Sequence, residues 1–182
     1  MDIEKLKYEA QNKALHIADV SGSALFNADC MDILPLIPDK SVQLILADLP
    51  YGTTQCKWDS VLDLNKLWVE YKRIISDNGN ILLFADEPFT STLICSNLEQ
   101  FRQRITWDKQ VAGNHLNSKK MLLKVTEDIC LFTPSKLGNQ TYNIQLTKNQ
   151  KNIGEEIENE KTEKSLQEVM LKQQKMVQKV LI

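Results

Sequence analysis

This 182-residue sequence has no Cys-x-x-Cys pair, no apolar run as long as a membrane span, and no glycine after Gly154. Its four cysteines lie far apart and form no Cys-x-x-Cys pair, which argues against a metal site or a disulfide framework and favours a reducing cytoplasm. The longest apolar run, near 42–47, is far shorter than the roughly 20 residues of a membrane helix. The amino-terminal residues are charged and lack the apolar stretch of a secretory signal. The sequence therefore predicts a globular protein without a membrane span.

A formal net charge of -2 gives the chain little general attraction for nucleic acid. This balance argues against a protein that coats DNA through bulk electrostatics, but it leaves room for a local basic face. One stretch combines several lysines with few acids, and it contains Lys109, Lys119, Lys120 and Lys124. These lysines are the candidates for phosphate contacts, although a solvated lysine face is the commoner explanation of such a cluster.

Strand-like and helix-like segments alternate along residues 21–147. Apolar runs predict strands at 24–26, 42–47, 80–84, 101–107 and 125–132. Helical spacing of apolar residues predicts helices at 31–37, 62–75 and 90–98. The nearly continuous apolar character of Val42-Gln-Leu-Ile-Leu-Ala is typical of a strand buried on both faces in a parallel sheet. The alternation indicates an α/β layered domain.

The two ends of the chain differ from this central domain. Residues 1–20 form a mixed-charge leader, for which a helix is expected. Residues 148–182 form a charged tail, and from 155 onward the tail contains no Gly, Pro or aromatic residue. An apolar stripe in the tail predicts a C-terminal amphipathic helix, which would pack on its own domain or on another chain.

The turn Asp48-Leu-Pro-Tyr, directly after the strand at 42–47, carries the clearest chemistry. Ligands of parallel sheets bind at the carboxyl ends of the strands, so this turn is expected to border a site. Asp48 supplies a carboxylate acceptor, Pro50 leaves backbone carbonyls free as acceptors, and Tyr51 offers a flat ring. Together these groups suit a planar ring that bears an exocyclic amine.

Such a turn can activate an amine by position alone. Fixed acceptors that draw both amine hydrogens expose the nitrogen lone pair, which can then attack the methyl group of a sulfonium donor. An amine inside a duplex is reached only after its base has been flipped out. The motif is short, and a strand-terminating turn with a surface aspartate explains the same residues equally well.

Several longer blocks of sequence agree in order with one family. The first, Leu25-Phe-Asn-Ala-Asp-Cys-Met-Asp-Ile-Leu, is followed by Ile37-Pro-Asp-Lys-Ser-Val-Gln-Leu-Ile-Leu-Ala-Asp-Leu-Pro-Tyr-Gly. Further blocks are Thr53-Thr-Gln-Cys-Lys-Trp-Asp, Phe84-Ala-Asp-Glu-Pro-Phe-Thr-Ser and Trp107-Asp-Lys. The chain thus resembles, over its positions 25–145, the β group of amino DNA methyltransferases, many of which are phage- or prophage-borne adenine enzymes.

The resemblance implies a partial Rossmann-like sheet that uses S-adenosylmethionine to methylate an exocyclic amine in double-stranded DNA. Asp48, Pro50 and Tyr51 would hold the flipped base. Aspartate at the first motif position favours adenine N6, whereas serine would have indicated cytosine N4. Restriction–modification is the process in which such enzymes are expected to act.

The resemblance also implies contacts to the cofactor and to DNA. S-adenosylmethionine would be bound by Asp29, Cys30, Asp48 and Phe84. DNA contacts would begin at about 109–124, with Lys109, Lys119, Lys120 and Lys124. Simpler explanations exist for some of these residues, since Asp29 can cap the following helix and Trp107 is more often a core residue.

The sequence departs from the family pattern in two places. Leu49 stands where the family usually has proline, and we expect this position to contribute mainly backbone. In the β group a glycine-rich loop that binds the cofactor follows the base-contacting region, but no glycine follows Gly154 here. We therefore expect either a truncated chain, which we favour, or one subunit of a split enzyme whose partner supplies the loop. Residues 155–182 are the expected contact for a partner subunit or for self-association.

Other functions fit less well. A C5-cytosine methyltransferase needs a nucleophilic cysteine, usually in a Pro-Cys turn. This sequence contains no Pro-Cys dipeptide. Enzymes that methylate protein glutamine or RNA amines usually begin the motif with asparagine and place it after the glycine-rich loop. The non-enzymatic alternative is an inactive remnant that binds DNA or a partner chain.

Overall fold

The computed structural model of the chain describes residues 2–52, 56, 59–113, 117–136 and 138–144. The chain divides into two compact units, Met1–Thr141 and Tyr142–Ile182. The amphipathic helix expected at 155–182 lies outside the described residues. All the elements given below belong to the first unit.

Helices and strands alternate along the first unit, which confirms the α/β class. In chain order the elements are α1 (Ile3–Ala10), β1 (His16–Val20), β2 (Ser23–Asn27), α2 (Cys30–Ile33), a 3-10 turn (Leu34–Leu36), β3 (Val42–Asp48), α3 (Leu64–Ile74), β4 (Ile75–Ala85), α4 (Phe89–Ser96), β5 (Phe101–Asp108) and β6 (Thr126–Phe132).

Four strands form a mixed sheet in the order β3-β4-β6-β5. β3 runs parallel to β4, whereas β6 is antiparallel to both β4 and β5. As a result β3, β4 and β5 end at the edge of the sheet where β6 begins. We call this edge, formed by Asp48, Ala85, Asp108 and Thr126, the carboxyl edge.

The first twenty residues contain a short helix and a strand rather than one helix. Asp2 caps α1 by accepting hydrogen bonds from the backbone N–H groups of Glu4 and Lys5. β1 pairs with β2 through Ser21 and Gly22, which both have positive φ (52° and 80°), as two-residue hairpin turns require. The helix expected over 1–20 is therefore confined to Ile3–Ala10, because residues 16–20 pair in this hairpin.

α3 and β4 form the centre of the core. Asp63 caps α3 by accepting from the two N–H groups of Asn65 and Lys66. The apolar positions of α3 fall on one face, and the buried residues there are Leu67, Trp68, Tyr71 and Ile74. Trp68 packs on Phe132 of β6, with 4.8 Å between ring centroids. This face of α3 thus covers one side of the sheet.

β4 begins earlier than the sequence indicated. The sequence predicted a helix at 62–75 and a strand only from 80, but the strand starts at Ile75, immediately after the last residue of α3, and includes Asp77-Asn-Gly. The β3–β4 register shifts here, from Val42 opposite Ile75 to Leu44 opposite Asn80. A Cβ on Gly79 would lie 2.7 Å from Ile75 Cδ1 and 2.9 Å from the carbonyl oxygen of Gln43. Glycine is therefore required where the helix passes directly into the strand.

We expect Gly79→Ala to lower the free energy of unfolding by about 1–3 kcal/mol, the usual cost of forcing extra volume into a packed core. Gly113→Ala is the matched control, because no atom of the described residues lies within 4 Å of a Cβ built at Gly113. Urea titration of both variants measures the difference. Equal stabilities would contradict the close approach around Gly79.

Candidate active site

Asp48 and Tyr51 are joined directly at the carboxyl edge. The Tyr51 hydroxyl donates a hydrogen bond of 2.6 Å to Asp48 Oδ1. Burial raises the pKa of Tyr51 far above its ordinary value, and the adjacent Asp48 carboxylate adds to the shift. The Tyr51 ring stacks on Phe89, with 5.4 Å between centroids and 23° between planes. The carboxylate and the ring singled out in the sequence therefore lie together.

The turn that carries these groups is anchored on both sides. Leu49 is buried (8% exposed), so its side chain belongs to the core and does not contribute backbone alone, as the sequence suggested. Pro50 is half-buried. Gly52 has a φ of +70°, and its N–H donates to Asp59 Oδ1 at 2.9 Å. A Cβ on Gly52 would lie 2.8 Å from Val61, so only glycine fits.

Phe89 is held in place from the neighbouring strand. Thr90, the next residue in α4, donates a buried hydrogen bond of 2.9 Å to Asp128 Oδ2 in β6. Asp128 also lies 3.8 Å from Arg104 in β5. Phe89 and Asp59 were missed as contributors to the site, although both lie in sequence blocks that resemble the family. Phe89 acts through Tyr51, which lies in a different part of the sequence, and Asp59 acts through Gly52, seven residues earlier. No residue motif marks either contact.

A second aromatic pair lies on the sheet beside Asp48. Phe84 is the register partner of Asp48, and its ring meets Trp107 edge to face at 5.8 Å. Trp107 stands opposite Glu127 in the β5–β6 ladder. Within the described residues, the buried indole N–H of Trp107 has no hydrogen-bond partner. An unsatisfied buried donor is uncommon, and it points to a polar group that the described chain does not supply.

Two of the four lysines singled out in the sequence are ion-paired at this edge. Lys109 pairs with Glu127, and Lys124 pairs with Asp86. Glu127 also contributes to the raised pKa of Tyr51, behind burial and Asp48, so these pairs lie near the Asp48–Tyr51 turn. Their positive charges are partly neutralised by the protein itself.

The other two lysines, Lys119 and Lys120, are exposed, and no carboxylate of the described chain lies within ion-pair distance of them. Between the ion pairs and the connection from β5 to β6 lies an open cleft of about 310 Å³. Its lining combines charged and apolar side chains, namely Asp86, Lys109, Met121, Leu122, Leu123, Lys124 and Glu127.

Asp29 and Cys30 occupy a different part of the first unit. Asp29 is the N-cap of α2, and its Oδ1 accepts from the N–H of Met31 at 2.8 Å. Cys30 lies near Tyr71 of α3, and burial raises the pKa of its thiol. In the described part of the chain, no hydrogen bond, ion pair or ring contact joins either residue to Asp48 or Phe84. Their assignment to the cofactor stays a prediction.

No group of three or more His, Cys, Asp or Glu side chains in the described ranges is placed to hold a metal ion. None of the described helices has both the length and the apolar character needed to cross a membrane.

Comparison with known families gives the carboxyl edge a context. The N6_N4_Mtase family model, described as DNA methylase, matches residues 42–181, which is more than half of the chain. The chain belongs to the N6/N4 DNA methylase family. The matched range includes β3 and the Asp48–Tyr51 turn, and it extends beyond position 145, where the resemblance seen in the sequence stops.

The relatives of this N6/N4 family member are longer. The chain is 30% identical over 125 residues to the Type II methyltransferase M1.MboII of Moraxella bovis, which covers 63% of the chain and 46% of that enzyme. Two solved structures are similar at 18% identity: TTHA0409 of Thermus thermophilus, described as a putative DNA modification methylase (TM-score 0.46; 68% of this chain and 57% of that one covered), and the M1.HpyAVI-SAM complex (TM-score 0.43; 61% and 53% covered). The chain thus spans about half the length of these relatives.

Replacing Tyr51 with phenylalanine tests the environment of the phenol. Because its pKa is raised in the folded chain, the unfolded chain ionises this phenol first, near the ordinary value of 10.0. The stability that the neutral phenol contributes is therefore present below about pH 10 and is lost as the pH rises further. We expect the free energy of unfolding to fall more steeply in the wild type than in Tyr51→Phe between about pH 9 and about pH 11. Equal slopes would contradict this assignment.

Proposed function

We propose that this chain carries the base-binding part of an enzyme that transfers a methyl group from S-adenosylmethionine to the exocyclic amine of a flipped base in double-stranded DNA. The observation that carries the proposal is the Asp48–Tyr51 turn at the carboxyl edge of the sheet. Membership of the N6/N4 family supplies the reaction class. Restriction–modification, a prophage origin and a cytoplasmic location are finer predictions that belong to the same proposal.

Asp48 is the acceptor that positions the amine. Its carboxylate is exposed, and in the described structure Oδ1 is engaged by the Tyr51 hydroxyl. An incoming amine either takes the free acceptor capacity of the carboxylate or displaces this hydroxyl. The second amine hydrogen is expected to go to a backbone carbonyl of the turn, which Pro50 helps to keep in a fixed direction. Both contacts expose the nitrogen lone pair for attack.

Tyr51 and Phe89 form an aromatic support for the base. The stack fixes the Tyr51 ring through Phe89, so a flipped base that packs against Tyr51 meets a surface that is already ordered. Preorganised aromatic contacts are the usual means of holding a base outside its duplex. Aspartate at position 48, where serine would have favoured cytosine N4, makes adenine N6 the proposed target.

The same edge suits a sulfonium donor. When bound, S-adenosylmethionine would supply an electrophilic methyl group, whose bond to sulfur breaks as the bond to nitrogen forms and a neutral thioether leaves. Asp48, which accepts the amine hydrogen, would pass the proton released by the amine to solvent. Asp48 and the ring of Phe84 offer a carboxylate and an aromatic surface to the positive charge of the donor. The indole N–H of Trp107, beside Phe84, has no partner among the described residues and is a further polar group at this place. For Asp29 and Cys30 we keep the cofactor contact as a prediction.

A partner-dependent or inactive chain is the alternative. It is supported by the content of residues 155–182, which include no glycine, whereas the family binds the cofactor through a glycine-rich loop. In this case the loop comes from a partner subunit, with residues 155–182 as the predicted contact, or the chain is inactive. Binding of S-adenosylmethionine, measured by calorimetry on the chain alone, separates a chain that binds the cofactor unaided from these alternatives.

Asp48→Ala tests the proposed reaction. Purified full chain is incubated with methyl-labelled S-adenosylmethionine and unmethylated DNA of mixed sequence, and the labelled nucleoside is identified. We expect N6-methyladenine from the wild type and a rate at least about 100-fold lower for Asp48→Ala, the usual size of removing a preorganised polar contact.

The matched control is Asp77→Ala. Asp77 is also exposed, but it lies in the early part of β4, away from the carboxyl edge, and pairs with Lys40. Its rate should equal that of the wild type, since a surface ion pair contributes little. Unchanged transfer in Asp48→Ala would refute the proposed role of Asp48. A wild-type chain that binds DNA but transfers no methyl group to it would favour the inactive alternative.

A further inference from the structure

The connection from β5 to β6 exposes apolar side chains to an unusual degree. Leu122 is 95% exposed, which is the largest value among the large hydrophobic residues of the described chain. Its neighbour Met121 is 58% exposed. Scattered exposed leucines are common, but two adjacent exposed apolar side chains at one tip, one of them almost wholly exposed, indicate a surface that another molecule covers. We call Met121 and Leu122 the apolar tip.

Lysines next to the apolar tip indicate the chemistry of the covering molecule. Lys119 and Lys120 precede it directly, are exposed and have no carboxylate of the described chain within ion-pair distance. A tip that combines exposed apolar groups with free positive charge is unsuited to a second apolar protein surface, which would bury the charges. It suits DNA, because phosphates take the lysines while the stacked base pairs offer an apolar interior.

The apolar tip adjoins the carboxyl edge, because its residues line a cleft together with Glu127 of β6. Asp48 pairs with Phe84, which in turn pairs with Ile129. Glu127, two residues before Ile129, therefore faces the same side of the sheet as Asp48. Lys124, close after the tip, pairs with Asp86 directly beyond the end of β4. Met121 and Leu122 line the cleft that also reaches Asp86 and Glu127. Phosphate contacts by the lysines and access of a base to the Asp48–Tyr51 turn therefore use one face of the molecule.

We propose that Leu122, supported by Met121, is a wedge that enters the DNA duplex and fills the gap left in the base stack when a base is extruded. The proposal rests on the proposed function and deepens it. Extrusion costs stacking and pairing free energy, and an apolar side chain in the vacated position restores part of it. Leu122 is a positioning residue in this scheme, since it acts on the stack and touches no reacting atom.

The test compares two labelled duplexes of the same sequence, one intact and one with a single abasic site, where the gap already exists. We expect the wild-type chain to bind the abasic duplex more tightly than the intact one. Leu122→Ala should lose this preference, with about tenfold weaker binding to the abasic duplex, because the burial of most of one leucine side chain is lost. Binding to the intact duplex, which depends on lysines, should change little.

Controls separate the wedge from general DNA binding. Leu98→Ala is the matched variant, because Leu98 is also exposed (64%) but precedes β5 at the opposite edge of the sheet, and it should keep the preference. The double variant Lys119→Ala with Lys120→Ala should weaken binding to both duplexes alike. 2-Aminopurine next to the abasic site gives a direct signal, which should change with the wild type but not with Leu122→Ala.

The outcomes distinguish the wedge from the proposed function. Leu122→Ala that retains the preference, or that loses affinity for both duplexes equally, would overturn the wedge and leave DNA binding standing. Wild-type chain that binds neither duplex at low salt would overturn the wedge together with the proposed DNA contact. A wild-type dimer that Leu122→Ala converts into a monomer would assign the apolar tip to self-association and would also overturn the wedge.

Discussion

The parallel pairing of β3 with β4 is the constraint on which the candidate site depends. It sets Asp48 opposite Phe84, and because the two strands end together, the turn after β3 meets the start of α4 at Phe89. A slip by one residue would turn Asp48 towards the face covered by α3 and would bury its charge. Gly79 serves the same pairing, since it lets the helix–strand junction approach the backbone of β3.

The parts of the fold that the sequence predicted are those with a strong local pattern. β3 and β6 are apolar runs, and α3 has regular helical spacing, so all three were placed to within a few residues. β1 was missed because His16–Val20 has no clear alternation and becomes a strand only through its hairpin with β2. The early start of β4 was missed for a similar reason, because the residues Asp77-Asn-Gly normally end an element.

The same distinction applies to the site. Asp48, Pro50 and Tyr51 are recognisable in the sequence because they are consecutive parts of one turn. Their supports were found only in the structure: Phe89 stacks on Tyr51 from α4, and Asp59 accepts a hydrogen bond from Gly52, seven residues before it. Asp48, Lys109 and Lys124 already have partners at the carboxyl edge. Ligand binding therefore replaces one polar contact with another, and the net gain in binding free energy per contact is small.

The internal ion pairs of Lys109 and Lys124 have a consequence for how salt affects any DNA complex. A lysine that neutralises a phosphate normally releases a condensed counterion, and each such contact steepens the salt dependence of binding by about 0.9 in the logarithmic slope. When Lys109 or Lys124 leaves its carboxylate for a phosphate, that carboxylate attracts a cation in turn, so the net release is small. The slope should then reflect mainly Lys119 and Lys120, and a shallow slope would not mean few contacts.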